Sequence, residues 1–357
     1  MTIDLCVYCD WQVQAEFTEY LPRAWQEYVG TRGSMPWNLG ERDVRVLSPW
    51  HHPLEPSGLP PDFAELAGRV AVDGTGRALL AHRAGVLFAA DPNAYVSLEL
   101  CAASNRWVAE RWLAPAGSPF VGGMVIQSQM PEEAAAEIRR SAATGRFVAV
   151  HMGGNGLGKP YGHPIYHPIY RAACDVGLPL VIHSTGDSAN ETISHSTAGG
   201  LSSFAAEYRA LAGQSLMNHI TSLIGQGVFE SYPDLQVLVV GGGLAWIPSL
   251  LWRFEVNYGA YGRDAPWVRK SPIDYFLEHF HVGSYRIDRP ADPASLHAAL
   301  RTIPALENVI CYASGMPEPD ADTVADATRL LPESWHRAVF TDNASALLGD
   351  RVTAGSR

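Results

Sequence analysis

No run of lysine and arginine occurs in this sequence, and no apolar stretch approaches the roughly 18–20 residues that cross a bilayer. The first absence, with a formal net charge of −11, argues against a nucleic-acid or anionic-membrane partner. The second argues against a membrane span. Cysteine is scarce: residues 6, 9, 101, 174 and 311 are scattered and odd in number. Reduced thiols and a cytoplasmic setting are therefore expected, not a disulfide framework. The opening segment, Met1 to Asp10, lacks the basic and long apolar regions of a signal peptide and begins as a strand. Cys6 and Cys9 make a Cys-x-x-Cys at a strand end instead of at a helix start, so no redox pair is expected. Apolar residues are plentiful, 47% hydrophobic against 18% charged over 357 residues. That suffices for one large barrel with insertions, read as a single domain over 1–357.

Short β-rich runs alternate with longer helical patterns, the signature of a parallel sheet wrapped by helices. Eight strands are expected: Thr2–Tyr8, Val86–Ala90, Phe120–Ile126, Phe147–His151, Pro179–His183, Val237–Gly241, Phe280–Ser284 and Val309–Ser314. Among the helices between them, Met130–Ala143 carries Pro131, Glu132 and Glu133 in its first turn, and Pro168–Val176 is stopped by Gly177. The spacing predicts a (β/α)₈ barrel. Residues 30–76 and 184–215 break the rhythm and read as long insertions after strands one and five. Both would lie at the C-terminal face, where barrels keep their active sites, the first as a lid. Gly153 to Pro160 nearly spells a phosphate loop, but Pro160 stands where a Ser or Thr would touch magnesium, so no nucleotide role is expected. His163 and His167 each precede a proline, which disfavours the helical alignment a zinc pair needs. His219 reads as a satisfied helix-face histidine.

Several segments resemble the amidohydrolase-related family that contains aminocarboxymuconate-semialdehyde decarboxylase and resorcylate-type decarboxylases. They are Tyr20 to Trp25 after strand one, Leu178 to His183 at strand five, and Gly227 to Leu235 before strand six. Trp246 to Arg253 follows strand six, and Asp342-Asn-Ala344 lies near the end. The resemblance covers nearly the whole chain. It implies a divalent ion held at strand ends by a His-x-His or acidic-x-His pair on strand one and a His on strand five. A His or Glu after strand six and an Asp in a Ser-Asp-x-Pro-His motif after strand eight complete that set. Such an ion needs several N and O donors and one open position.

Here that set is largely missing. Cys6 and Tyr8 stand on strand one, Gly241 after strand six, and Gly315 in Ser314-Gly-Met-Pro-Glu318 after strand eight; only His183 is kept. No metal site and no cofactor are therefore expected. The two glycines are expected to enlarge the barrel mouth.

The candidate catalytic groups are His183 and His151 as imidazoles at strand ends, Tyr8 as a donor to a developing oxyanion, and Glu318 as a carboxyl acid raised by an apolar mouth. Cys6, Arg286, Asp320, Gly241 and Gly315 are the candidate substrate-binding positions. Arg286 is the one suited to clamp a carboxylate, and Cys6 becomes a nucleophile if a histidine lowers its pKa. For each, the plain alternative stays open: a buried relic hydrogen bond, a core thiol, an exposed loop acid, a surface ion pair. Trp11, Trp25, Trp37, Trp50, Trp246, Trp252 and Trp267 are expected in the core, at subunit contacts or around an apolar pocket.

Two functions follow. One is a metal-independent hydrolase or lyase on a small apolar or aromatic carbonyl or carboxylate compound, in a tailoring role. The other is a non-catalytic pseudoenzyme that binds a ligand or partner protein. The resemblance further implies a homo-oligomer, commonly a dimer.

Overall fold

The computed structural model describes residues 1–13, 15–31, 60–89, 91, 93–153, 158–184 and 205–352. Among them eight parallel strands follow one another in chain order: β1 (Thr2–Cys9), β2 (Thr75–His82), β3 (Phe120–Ile126), β4 (Phe147–Met152), β5 (Leu180–His183), β6 (Val237–Val240), β7 (Phe280–Gly283) and β8 (Ile310–Cys311). This is the expected (β/α)₈ barrel. Nearly every strand residue is buried, because a parallel strand has the barrel interior on one face and helices on the other. That explains the continuous apolar runs.

One strand differs from expectation. Val86 and its neighbours lie in a helix, Arg83–Phe88, and the second strand is Thr75–His82. After Thr75 its sequence, Gly76-Arg-Ala-Leu-Leu-Ala-His82, lacks the β-branched residues and the Tyr, Phe and Trp that mark strands. It is a strand because it pairs with both β1 and β3. The expected insertion over 30–76 is shortened accordingly. Its end holds the helix Phe63–Val72, capped by Asp62 accepting from the Glu65 N–H at 2.9 Å, and the start of β2. Residues 32–59 with Trp37 and Trp50, residues 154–157 of the near phosphate loop, and residues 185–204 of the second insertion lie outside the described residues.

Helices form where the sequence supplies their ends. Pro131–Ala142 has Glu132 and Glu133 in its first turn and Arg139 and Arg140 in its last, each matching the helix dipole. His167–Val176 ends at Gly177, which takes φ +64°. Val324–Leu330 begins with a Thr323–Asp326 capping box. In the closing segment the Asn343 amide donates to the carbonyls of Glu307 and Ile310, both at 2.7 Å, and so ties the C-terminal helix beneath β8. No described helix is long and apolar enough to cross a membrane.

The barrel closes between β1 and the segment after β8. Leu5 N–H donates to Tyr312 O (2.9 Å), Gly315 N–H to Cys6 O (2.8 Å) and Tyr8 N–H to Met316 O (2.7 Å). Asp4 reinforces this seam from within: its Oδ1 accepts the Cys6 N–H at 2.9 Å and the Ser314 N–H at 3.0 Å. Asp4 is fully buried, and among the described residues its Oδ2 has no hydrogen-bond partner. Burial outweighs those hydrogen bonds and raises its carboxyl to about 7. The folded protein therefore holds this proton more tightly than the unfolded chain. The contribution to stability is full below pH 4 and is lost as pH rises to about 7. At ~1.4 kcal/mol per unit, the change reaches up to about 4 kcal/mol. Asp4→Asn keeps the Oδ1 acceptor without the charge. Its unfolding free energy relative to the parent should rise by that amount between pH 4 and pH 7 in urea titrations. The comparison isolates Asp4 from buried histidines, which act in the opposite direction. A pH-independent difference would refute this account.

Candidate active site

The C-terminal ends of β1, β4 and β5 bring three of the sequence candidates into one hydrogen-bonded line. Tyr8 Oη lies 3.0 Å from His183 Nδ1, and His183 Nε2 lies 2.5 Å from His151 Nδ1. His151 and His183 are buried, and Tyr8 is almost so. Burial holds both imidazoles well below the usual histidine range, and for His151 the neighbouring imidazole adds to it. The pair is thus neutral near pH 7. Burial likewise keeps the Tyr8 phenol protonated, well above its usual value.

The direction of this chain follows from its buried end. Among the described residues His151 Nε2 has no partner, and it faces Gly123, where a Cβ would lie 1.7 Å from it. An unpaired buried N–H is costlier and rarer than an unpaired acceptor. A bare Nε2 therefore places the proton on His151 Nδ1, which donates to His183 Nε2; His183 Nδ1–H then donates to Tyr8 Oη. The Tyr8 hydroxyl proton is left to point away from the histidines. Its near neighbour is the Cys6 thiol, a weak acceptor.

Cys6 does not meet the nucleophile expectation. It is fully buried, and burial pushes its thiol far above the usual range, so no thiolate is available. The mouth around Glu318 is not apolar. Its Oε1 is 2.9 Å from Arg83 Nε, and its Oε2 is 3.9 Å from Arg209. Asp320 positions other groups: Oδ1 accepts from Tyr285 Oη at 2.7 Å and Oδ2 from Arg286 Nε at 3.0 Å, with Arg209 at 3.5 Å.

Arg286 is held at φ +64°, which costs a non-glycine residue about 1–3 kcal/mol. The ties that hold it are visible. Nη1 donates to Gly241 O (3.0 Å) and reaches Ser184 Oγ (3.4 Å), and its guanidinium carbon stacks 4.6 Å from the Tyr285 ring centre.

The two glycines do not enlarge the mouth. A Cβ on Gly315 would lie 2.2 Å from the Tyr285 ring, and one on Gly241 would lie 2.5 Å from Ser184 Oγ. The room left by the absent side chains is filled by Tyr285 and Ser184, and both glycines have positive φ (+76° and +90°). A cavity of about 610 Å³ is lined by Arg209, Arg286, Arg289, Asp320 and Asp322 among others, and by neither glycine.

Sequence reasoning missed Arg83, Arg209, Tyr285 and a second buried couple. His82 Nδ1 lies 2.6 Å from Ser104 Oγ, and its Nε2 is 3.4 Å from Asp10 Oδ1, within a box of Trp11, Phe17, Phe88 and Trp107. Placing β2 at Thr75–His82 would have exposed His82 and Arg83 as strand-end residues. Arg209, on the short helix Ala205–Ala210, carries no motif. Elsewhere, His219 is buried and accepts the Tyr161 N–H at 3.2 Å, while His163 Nδ1 accepts from Ile165 N–H. Trp11 is core; Trp252 and Trp267 are about half exposed.

The amidohydrolase family model matches residues 49–349. The chain belongs to that family. A decarboxylase of Emericella nidulans, orsB, is 26% identical over 187 residues, 48% of this chain and 53% of that protein. The chain thus matches about half the length of this curated relative. Among solved structures, 5-carboxyvanillate decarboxylase LigW from Sphingomonas paucimobilis is 20% identical with a TM-score of 0.65, covering 97% of this chain and 98% of that one. A dihydroxybenzoic acid decarboxylase from Polaromonas sp. JS666, with bound manganese and 2-nitroresorcinol, is 18% identical with a TM-score of 0.63, covering 98% and 97%. At these identities the structural matches establish the fold.

A divalent ion such as the manganese bound in the Polaromonas structure does not fit the residues found in this chain. Both ring nitrogens of His183 are spent on Tyr8 and His151, Cys6 is held as a thiol, and Gly241 and Gly315 offer no side-chain donor. Among the described residues no group of three His, Cys, Asp or Glu side chains is placed to hold a metal.

The dependence of the histidine pair on Gly123 can be measured. Gly123→Ala forces a methyl into the His151 ring and should destabilise the parent by about 1–3 kcal/mol. In a His151→Ala background the same change should cost far less, as a double-mutant cycle in urea would read. Equal costs in both backgrounds would contradict the packing described.

Proposed function

We propose that this amidohydrolase is a lyase of the decarboxylase type, acting on a small aromatic carboxylate without a divalent ion. The observation that carries this reading is the Tyr8–His183–His151 line, which consumes the retained imidazole in hydrogen bonding and leaves the phenolic proton of Tyr8 unshared with the histidines. The decarboxylases among the relatives favour a lyase over a hydrolase. In the reaction a proton forms a C–H bond at the carboxyl-bearing ring carbon. The bond to the carboxylate breaks, its electron pair returns to the ring, and CO₂ leaves. Tyr8 supplies the proton and regains one from water. Its phenolate accepts the His183 N–H, and the positive charge of Arg209 offsets part of what burial and the Glu318 carboxylate do to hold the proton on Tyr8.

One observation favours a second reading, a ligand-binding pseudoenzyme. Tyr285 fills the space beside Gly315, and the 610 Å³ cavity is lined by the arginines instead of by His183 or His151.

Elemental analysis of purified protein should find no stoichiometric transition metal, and CO₂ release from hydroxybenzoates should survive chelation. Stoichiometric metal with chelator-sensitive turnover would overturn the metal-free reading. Tyr8→Phe should lower kcat by about 10²- to 10⁴-fold with little change in KM, and His183→Ala should abolish turnover. Full activity in either variant would remove that residue from the mechanism. Ligand binding without turnover by the parent would favour the pseudoenzyme.

A further inference from the structure

Three guanidinium groups converge on the barrel mouth, and they are not equally engaged. Arg83 is paired with Glu318 at 2.9 Å. Arg286 is only 10% exposed and spends Nε on Asp320 and Nη1 on Gly241 O; its Nη2 has only a long contact, 3.3 Å, to Tyr285 Oη. Arg209 is the loosest. Its side chain is 30% exposed, and its nearest carboxylate oxygens are 3.5 Å away on Asp320 and 3.9 Å away on Glu318. Asp320 is shared, since its two oxygens also accept from Tyr285 and Arg286 at shorter distances.

Arg209 and Arg286 both line the 610 Å³ cavity. Arg286 also lies over Gly241 and Ser184, at the ends of β6 and β5: its Nη1 is 3.6 Å from where a Gly241 Cβ would be. A fixed positive charge therefore stands at the strand ends where the donors for a divalent ion are absent. We propose that Arg209 and Arg286 form a carboxylate-binding site at the mouth, and that their guanidinium charge takes the place of a metal ion in holding the substrate's anion. The carboxylate would accept from Arg209 and from Arg286 Nη2, charge-assisted bonds in a half-buried setting. Asp320 and the stacked Tyr285 ring act as positioning groups that keep Arg286 in its strained backbone conformation. This proposal rests on the metal-free, aromatic-carboxylate reading of the site, but it concerns binding and not turnover.

Calorimetric titration of the full chain with 2,6-dihydroxybenzoate tests it, with resorcinol as the ligand lacking the carboxylate. The parent should bind the carboxylate with a Kd unchanged by EDTA, and resorcinol at least 10-fold more weakly. A hydrogen-bonded charge pair in such a site is worth roughly a 10- to 100-fold change. Arg209→Gln should weaken carboxylate binding by that factor and leave resorcinol binding unaltered. Arg209→Lys should fall between the two, and Arg253→Gln on an exposed helix face should match the parent. Among the described residues Arg209 has no contact tighter than its loose ion pairs, so the variant should keep the parent's thermal midpoint. Unchanged binding in Arg209→Gln, binding that appears only with added manganese, or no binding by the parent would each overturn the proposal. Carboxylate binding that depends on Arg209 without CO₂ release would leave this site standing and overturn the lyase reading.

Discussion

The seam between β1 and the segment after β8 is the constraint on which the candidate site depends. Its three main-chain hydrogen bonds fix β1 against residues 312–316. That registration puts Tyr8 beside His183 on one side and places Glu318 and Asp320 at the mouth on the other. The Asp4 carboxyl joins both halves of the seam through one oxygen. An open sheet of the same strands would carry the same residues without bringing them together, because β1 and β8 are the two ends of the strand order.

Above this seam the site divides by charge. The inner layer is a line of neutral groups, Tyr8, His183 and His151, whose burial suppresses ionisation. The outer layer is a rim of arginines and carboxylates in mutual contact. A neutral donor line beneath a cationic rim suits a chemistry in which an anion is held and a proton delivered. The strain in the Arg286 backbone is consistent with that arrangement, since the rim contacts offset it.

Much of this was legible in the sequence. Seven of the strands appear as runs of β-branched and apolar residues, and the chain order of a parallel barrel follows from their alternation with helices. His183, His151 and Tyr8 were legible as strand-end residues. The second strand was not, because Ala-Leu-Leu-Ala has no intrinsic preference for extended backbone and is made a strand by its two neighbours. With it went His82 and Arg83. Arg209 had no pattern at all, since a single arginine on a six-residue helix gains meaning only from the carboxylates that face it.

Gly241 and Gly315 mark the boundary most sharply. The sequence by itself determined that no ligand atom stands at these positions, because that depends on residue identity alone. What became of the space is a property of packing between residues far apart in the chain. Ser184 and Tyr285 moved into it, and Tyr285 carries Asp320 and Arg286 with it. The same holds for the histidines: sequence placed an imidazole at two strand ends, while only the closeness of β4 and β5, with Gly123 behind, set their hydrogen-bond direction and neutral charge. Residue type fixes which groups are available; burial and contact across the closed barrel fix their protonation and their partners.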